Sequence, residues 1–240
     1  MTIPVAGRSA GPTRTAGPAR TAGLFFVGAL ICLVVPPLAA GVFAPDGLPT
    51  VLLAVAGVEL VSAGALIAWW LRRHGLTRRS LGLTSERWKR DTLLAVATVP
   101  PRLVLEFGVL LPATGGAANP EVQEILRMAS GGPAALAAAL VLGIVGGGIA
   151  EELYFRGFLL GSIPQRSARP RVALWVAAVV SVVLFGLLHL PANALNALSI
   201  TVAGLVYTGL FLATRRLTAP IVAHSLWNTV AIGAVLVSYG

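Results

Sequence analysis

Seven apolar runs, each approaching or exceeding the ~20 residues a helix needs to cross the hydrocarbon of a bilayer, constrain this chain more than any other feature. They cover 24–43, 51–71, 92–111, 133–163, 172–190, 195–213 and 219–239. In lipid every backbone polar group must be satisfied internally, and runs of this length do so as helices. The expected fold is therefore all-α, a polytopic membrane helix bundle of about seven transmembrane helices. With 56% hydrophobic and only 11% charged residues, and a mean hydropathy of +0.85, no soluble domain of comparable size is left over.

Charge sorts the connections. Of eighteen Lys and Arg residues, fifteen lie in the tail, in 72–90, in 166–171 and at Arg215-Arg216. One, Arg127, lies in a connection on the opposite side. By the positive-inside rule the N-terminus is expected in the cytoplasm and the C-terminus across the membrane, a bacterial-type plasma membrane. The net charge of +9 does not suggest a nucleic-acid partner, because the basic residues flank apolar runs and form no patch on a soluble domain. The single cysteine, Cys32, excludes an intramolecular disulfide and a thiol-rich metal site.

Three regions follow. Residues 1–22, rich in Gly, Pro, Ala, Thr and Arg, are expected to be a disordered basic tail. Residues 23–132 carry the N-terminal transmembrane helices and amphipathic connections. Residues 133–240 form the core. The first run, ending Pro-Leu-Ala-Ala-Gly, also fits a secretory signal, and an uncleaved span is expected. Pro100-Pro101 should kink the third run, where Arg102 and Glu106 stand at ion-pair spacing. Glu59 lies near the middle of the second run.

Charge at membrane depth costs roughly 2.5–3.5 kcal/mol per group on insertion scales, so Glu151, Glu152 and Arg156 must face protein or water. On a helix, Glu152 and Arg156 share a face and can pair. Glu151 is rotated about 100° away and is left free for chemistry. A structural ion cluster is the alternative. His189 and His224 also fall within apolar runs, where an imidazole needs hydrogen bonds, and Asn228 shares a helix face with His224. At ~1.5 Å rise per residue, Glu151 and Asn228 reach similar depths. His189 lies deeper, so tilt or a bend at Gly146-Gly147-Gly148 is needed.

Glu-Glu-x-x-x-Arg at 151–156, Phe-x-x-x-His at 185–189 and His-x-x-x-Asn at 224–228 follow one another on successive core helices. Over about 133–235 the chain resembles the CPBP intramembrane protease family, also called Abi or CAAX proteases, with its Rce1-like prenyl-protein endopeptidases. The resemblance implies a catalytic core in the last four helices and a glutamate-dependent endopeptidase needing no metal and no other cofactor. In that reading Glu151 and His189 activate a water, and His224 and Asn228 stabilise the oxyanion. Glu152, Arg156 and Phe185 support the site. The implied partners are the lipid bilayer and a peptide or protein substrate at the membrane, lipid-modified chains included. Two alternatives stand beside it: a proton-coupled transporter or channel with the intramembrane charges as relay groups, and a zinc-dependent peptidase using Glu151, His189 and His224.

Overall fold

The computed structural model describes residues 48–240, with Gly28 alone among those before them. The tail 1–22, the run 24–43 apart from Gly28, and Cys32 therefore lie outside the described residues. Within these bounds all regular structure is helical. Helix α1 spans Leu48–His74, α2 Trp88–Ala113, α3 Pro120–Ala129 and α4 Pro133–Arg166. They are followed by α5 at Pro170–Leu188, α6 at Ala194–Thr214 and α7 at Thr218–Tyr239. All but α3 are long and apolar enough to cross a membrane, six helices among the described residues. The protein is an integral membrane helix bundle.

The ends follow local chemistry. Pro120, Pro133 and Pro170 open their helices, where a missing N–H costs nothing and the fixed φ suits a helix. Asn193 caps α6, its Oδ1 accepting from the N–H groups of Leu195 (3.0 Å) and Asn196 (2.9 Å), the usual side-chain solution for orphan donors. In α2 a tight turn at Thr98 precedes Pro100-Pro101, with Thr98 N–H and hydroxyl both on the Ala95 carbonyl (3.1 and 2.7 Å). The two prolines thus sit in the first turn of a new helical segment, Val99–Leu105, where no bond is lost.

Helix α4 is central, packing against α1, α5 and α7. Its backbone is widened to i→i+5 hydrogen bonding over Leu142–Glu151 and again over Leu153–Ser162, a geometry that is rare and concentrated at functional sites. Against its C-terminal half, Tyr154, Phe155, Phe158, Phe185, Tyr207 and Phe211 form an aromatic core, each at most 2% exposed. Phe155 meets Phe185 edge-on at 5.5 Å. Asp91, fully buried, takes a bidentate pair from Arg216 (Nε 2.6 Å, Nη2 2.8 Å), tying the start of α2 to the α6–α7 connection. A fork of this kind gives direction as well as energy.

Candidate active site

The site is built outward from α4. Glu152 and Arg156 are completely buried, and Arg156 Nη1 donates to Glu152 Oε1 at 2.8 Å. A second donor reaches the same oxygen from α7: His224 Nδ1, at 2.9 Å. Arg156 Nη2 donates in turn to the Gly204 carbonyl of α6 (3.1 Å). The guanidinium centre lies 5.0–5.6 Å from the rings of Phe155, Phe185 and Tyr207. One ion pair thus fastens α4 to both α6 and α7.

The pair also settles the tautomer of His224. An ionised carboxylate only accepts, so Nδ1 carries the proton and Nε2 is the nitrogen turned outward. Tyr207 stacks on the imidazole at 4.5 Å with the planes 19° apart, so the ring is held on its face and at one edge. One turn later Asn228 Nδ2 donates to the Gly143 carbonyl (2.8 Å). Both side chains meet α4 at Gly147. A β-carbon there would stand 2.7 Å from Asn228 Nδ2 and 3.3 Å from His224 Nε2. Only a residue without a side chain lets these two nitrogens converge on the α4 backbone.

His189 follows the last turn of α5, and its Nδ1–H donates to the Phe185 carbonyl at 2.8 Å, leaving the lone pair on Nε2. Phe185 lies between the histidines, 4.3 Å from the His189 ring and 5.8 Å from that of His224. Both histidines, Asn228, Phe185 and Tyr207 line one cavity of about 360 Å³. The depth difference read from sequence therefore does not keep His189 away.

Glu151 takes another direction. It is half-buried, in the field of Glu59, Glu152 and Arg156. Its Oε2 is buried and has no partner among the described residues. Glu59, from α1, rests on Gly146, where a β-carbon would stand 2.5 Å from its Oε2. Among the described residues Glu151 makes no hydrogen bond to His189, and it does not line the cavity. The structure brings His189, His224, Asn228 and Phe185 together and joins Glu152 and Arg156 to His224. It does not join Glu151 to His189. No three His, Cys, Asp or Glu side chains among the described residues form a metal-binding group.

The ion pair expected between Arg102 and Glu106 does not form. A wide turn begins at Glu106 and runs to Leu110, which turns the acid away, and its Oε2 accepts instead from Ser199 of α6. Arg102 donates to the Tyr207 hydroxyl and lies 3.7 Å over the Trp227 ring. Tyr207, Trp227 and Gly147 escaped the reading of the sequence. The first two look like ordinary aromatic members of apolar runs, and Gly147 was visible only as part of a triplet.

Residues 133–230 match the family model described as Rce1-like, type II CAAX prenyl endopeptidase. Over 93 residues the chain is 28% identical to "Putative membrane peptidase YdiL" of Bacillus subtilis (strain 168), a match covering 39% of this chain and 35% of that protein. The chain thus spans about a third of the length of the curated relative it matches. No solved structure matches. The matched segment runs from the start of α4 through Asn228 and takes in Glu151, Glu152, Arg156, His189 and His224. Over this four-helix core the chain is similar to the Rce1-like, CPBP family.

Proposed function

We propose that the protein is an intramembrane endopeptidase of glutamate-dependent type, cleaving peptide bonds of membrane-associated chains near the cytoplasmic face. In this reading Glu151 and the lone pair of His189 Nε2 share a water, and Glu151 takes its proton. The resulting hydroxide adds to the scissile carbonyl. His224 Nε2, as an N–H in the protonated ring, and the second amide proton of Asn228 hold the oxyanion. The proton then passes to the leaving nitrogen as the C–N bond breaks. Preorganised donors aimed at developing charge are the largest single contribution in such reactions.

One observation carries the reading. His224 and Asn228, from α7, present two nitrogens over the bare backbone of Gly147, and the buried Glu152–Arg156 pair fixes the imidazole behind them. A helix-fastening ion cluster has no use for that convergence. The unpartnered, buried oxygen of Glu151 sits on the same helix, four residues beyond Gly147. The wide i→i+5 winding of the segment keeps residues four and five apart near one face.

The test is a comparison of membrane proteomes from cells carrying the parent protein and Glu151→Gln. Peptide ends present with the parent and missing from the variant identify substrates, and a purified substrate then reports turnover. Glu151→Gln should fold as the parent does and lose cleavage. Full turnover in that variant would remove Glu151 as the base. Cleavage abolished by a chelator and restored by zinc would assign the reaction to a metal peptidase instead.

A further inference from the structure

At the end of the bundle where basic residues gather, a second cavity of about 330 Å³ opens away from the site. Arg79 lines it from the short helical turn Arg78–Leu81, Arg171 from the first turn of α5 and Arg215 from the residue that closes α6. Leu174 and Phe211 supply an apolar wall.

The backbone beneath is fixed. Gln165 Nε2 donates to the carbonyls of Ser80 (3.0 Å) and Gly161 (2.7 Å), which clamps the 78–81 turn to the end of α4. A β-carbon at Gly161 would stand 2.8 Å from the Ser80 carbonyl oxygen, so the two backbones meet with no room to spare. Arg215 is left-handed (φ 57°), its N–H bonded to the Phe211 carbonyl at 2.7 Å. The stems of the arginines thus rise from backbone that does not readily move apart.

Their charges are largely unanswered. Among the described residues Arg171 and Arg215 have no carboxylate within ion-pair distance, and Arg79 meets Glu86 only at 3.8 Å with both exposed, a contact worth little. Three guanidinium groups around one cavity repel one another until an anion arrives, and their planar forks suit phosphate oxygens. The surroundings say which phosphate. From this cavity α5 carries an exposed stripe of Val172, Trp175, Val176, Val179, Val183 and Leu187, each more than half exposed, the face a membrane helix turns to lipid. Trp175 stands one turn beyond Arg171, and tryptophan favours the headgroup level. We infer that this cavity binds the phosphate of an anionic phospholipid, its headgroup held by Arg79, Arg171 and Arg215 and its acyl chains lying along α5. Basic pockets between helices on the cytoplasmic side take headgroups in this way. The inference is independent of the peptidase reading.

The experiment uses full-length protein, delipidated in detergent and titrated with phosphatidylglycerol or phosphatidylcholine, with bound lipid counted by native mass spectrometry. Phosphatidylglycerol should bind at one saturable site, and phosphatidylcholine should not compete. Arg171→Gln/Arg215→Gln should weaken that binding about thirtyfold, roughly a factor of five for each arginine lost. The equally charge-reducing Arg72→Gln/Arg73→Gln, outside the cavity, should leave it unchanged. Equal weakening by both double variants would reduce the effect to general attraction and overturn the site. Inorganic phosphate displacing phosphatidylglycerol at millimolar concentration would overturn the lipid assignment. If the glutamine variant does not fold, Arg171→Lys/Arg215→Lys serves in its place. Loss of the planar forks should weaken binding severalfold, and no change would overturn the three-arginine headgroup contact.

Discussion

Replacing Arg156 by methionine puts the central ion pair to a quantitative test. Both partners are 0% exposed, and removing one partner of a buried pair costs about 3–5 kcal/mol because the other charge remains buried and uncompensated. Two local facts bear on where in that range the loss should fall. The variant also strips the Gly204 carbonyl of its side-chain donor and leaves the niche walled by Phe155, Phe185 and Tyr207 incompletely filled, which adds to the loss. His224 Nδ1 stays on Glu152 and offers the acid a proton, which limits it. The expected loss is therefore about 3–4 kcal/mol. The pairing itself is isolated by Glu152→Gln/Arg156→Met, which removes both charges. This double variant should be more stable than Arg156→Met alone by at least ~1 kcal/mol, within the usual coupling of residues in contact. Unfolding by SDS titration in mixed micelles, followed by tryptophan fluorescence, measures all four corners of the cycle. Effects additive to within ~0.5 kcal/mol, or a single variant as stable as the parent, would refute the buried pair as the fastener of α4 to α6 and α7.

Gly147→Ala places a carbon where Asn228 Nδ2 and His224 Nε2 converge. Turnover should fall about a hundredfold or more, while Gly64→Ala, with nothing within 4 Å, should leave it intact and stabilise α1 slightly; equal turnover in both would refute the convergence. Asn228→Ala removes one of the two proposed oxyanion donors, worth about 10²–10³ in kcat, and kinetics on a purified substrate should show kcat falling with KM little changed. Burial, aided by Glu106, raises the proton affinity of Glu121, in the α2–α4 connection, above that of an ordinary glutamate. Its protonated form therefore favours folding at low pH, and that contribution is lost as pH rises through the raised pKa. Glu121→Gln should accordingly unfold at a higher temperature than the parent at pH 8, with the difference vanishing near pH 4, and a constant difference across that range would refute the assignment.

Much of the bundle was readable because lipid leaves a chain few choices. The run expected at 219–239 forms a helix over Thr218–Tyr239, that at 195–213 one over Ala194–Thr214, and the connection before 133 holds the short helix Pro120–Ala129. Prolines and Asn193 mark several of these ends chemically. The Glu152–Arg156 contact is also local, so its spacing announces it. What could not be read is what depends on neighbours. Arg102 and Glu106 have the spacing of a pair, yet each finds a partner on another helix, Tyr207 and Ser199 respectively. Asp91 looks like a surface acid in a basic stretch and is instead buried beneath Arg216, a contact between residues 125 positions apart.

The neighbours on either side of α4 explain why the two adjacent acids have such different surroundings, and why α1 matters to a site whose motifs all lie beyond residue 133. In a regular helix adjacent residues stand about 100° apart while residues four apart nearly share a face, so Gly146 and Gly147 look in different directions and Glu151 lies close to the line of Gly147. With i→i+5 bonding through Glu151, the turn is wider. Gly146 and Gly147 then admit groups from opposite neighbours: Glu59 of α1 on one side, His224 and Asn228 of α7 on the other. Glu152, following them, closes on α7 through His224 Nδ1. Glu151 is left in the field of both Glu59 and Glu152, at the seam between the two neighbours. Carboxyl groups set this close together do not all carry charge, since burial and like-charge repulsion both disfavour the ionised form. A buried ion pair needs only Glu152 and Arg156, so burying Glu151 and Glu59 beside it costs desolvation without adding a pair. On the proposed reading Glu151 is the acid kept for chemistry, and its place beside Glu59 sets α1 next to the reacting groups.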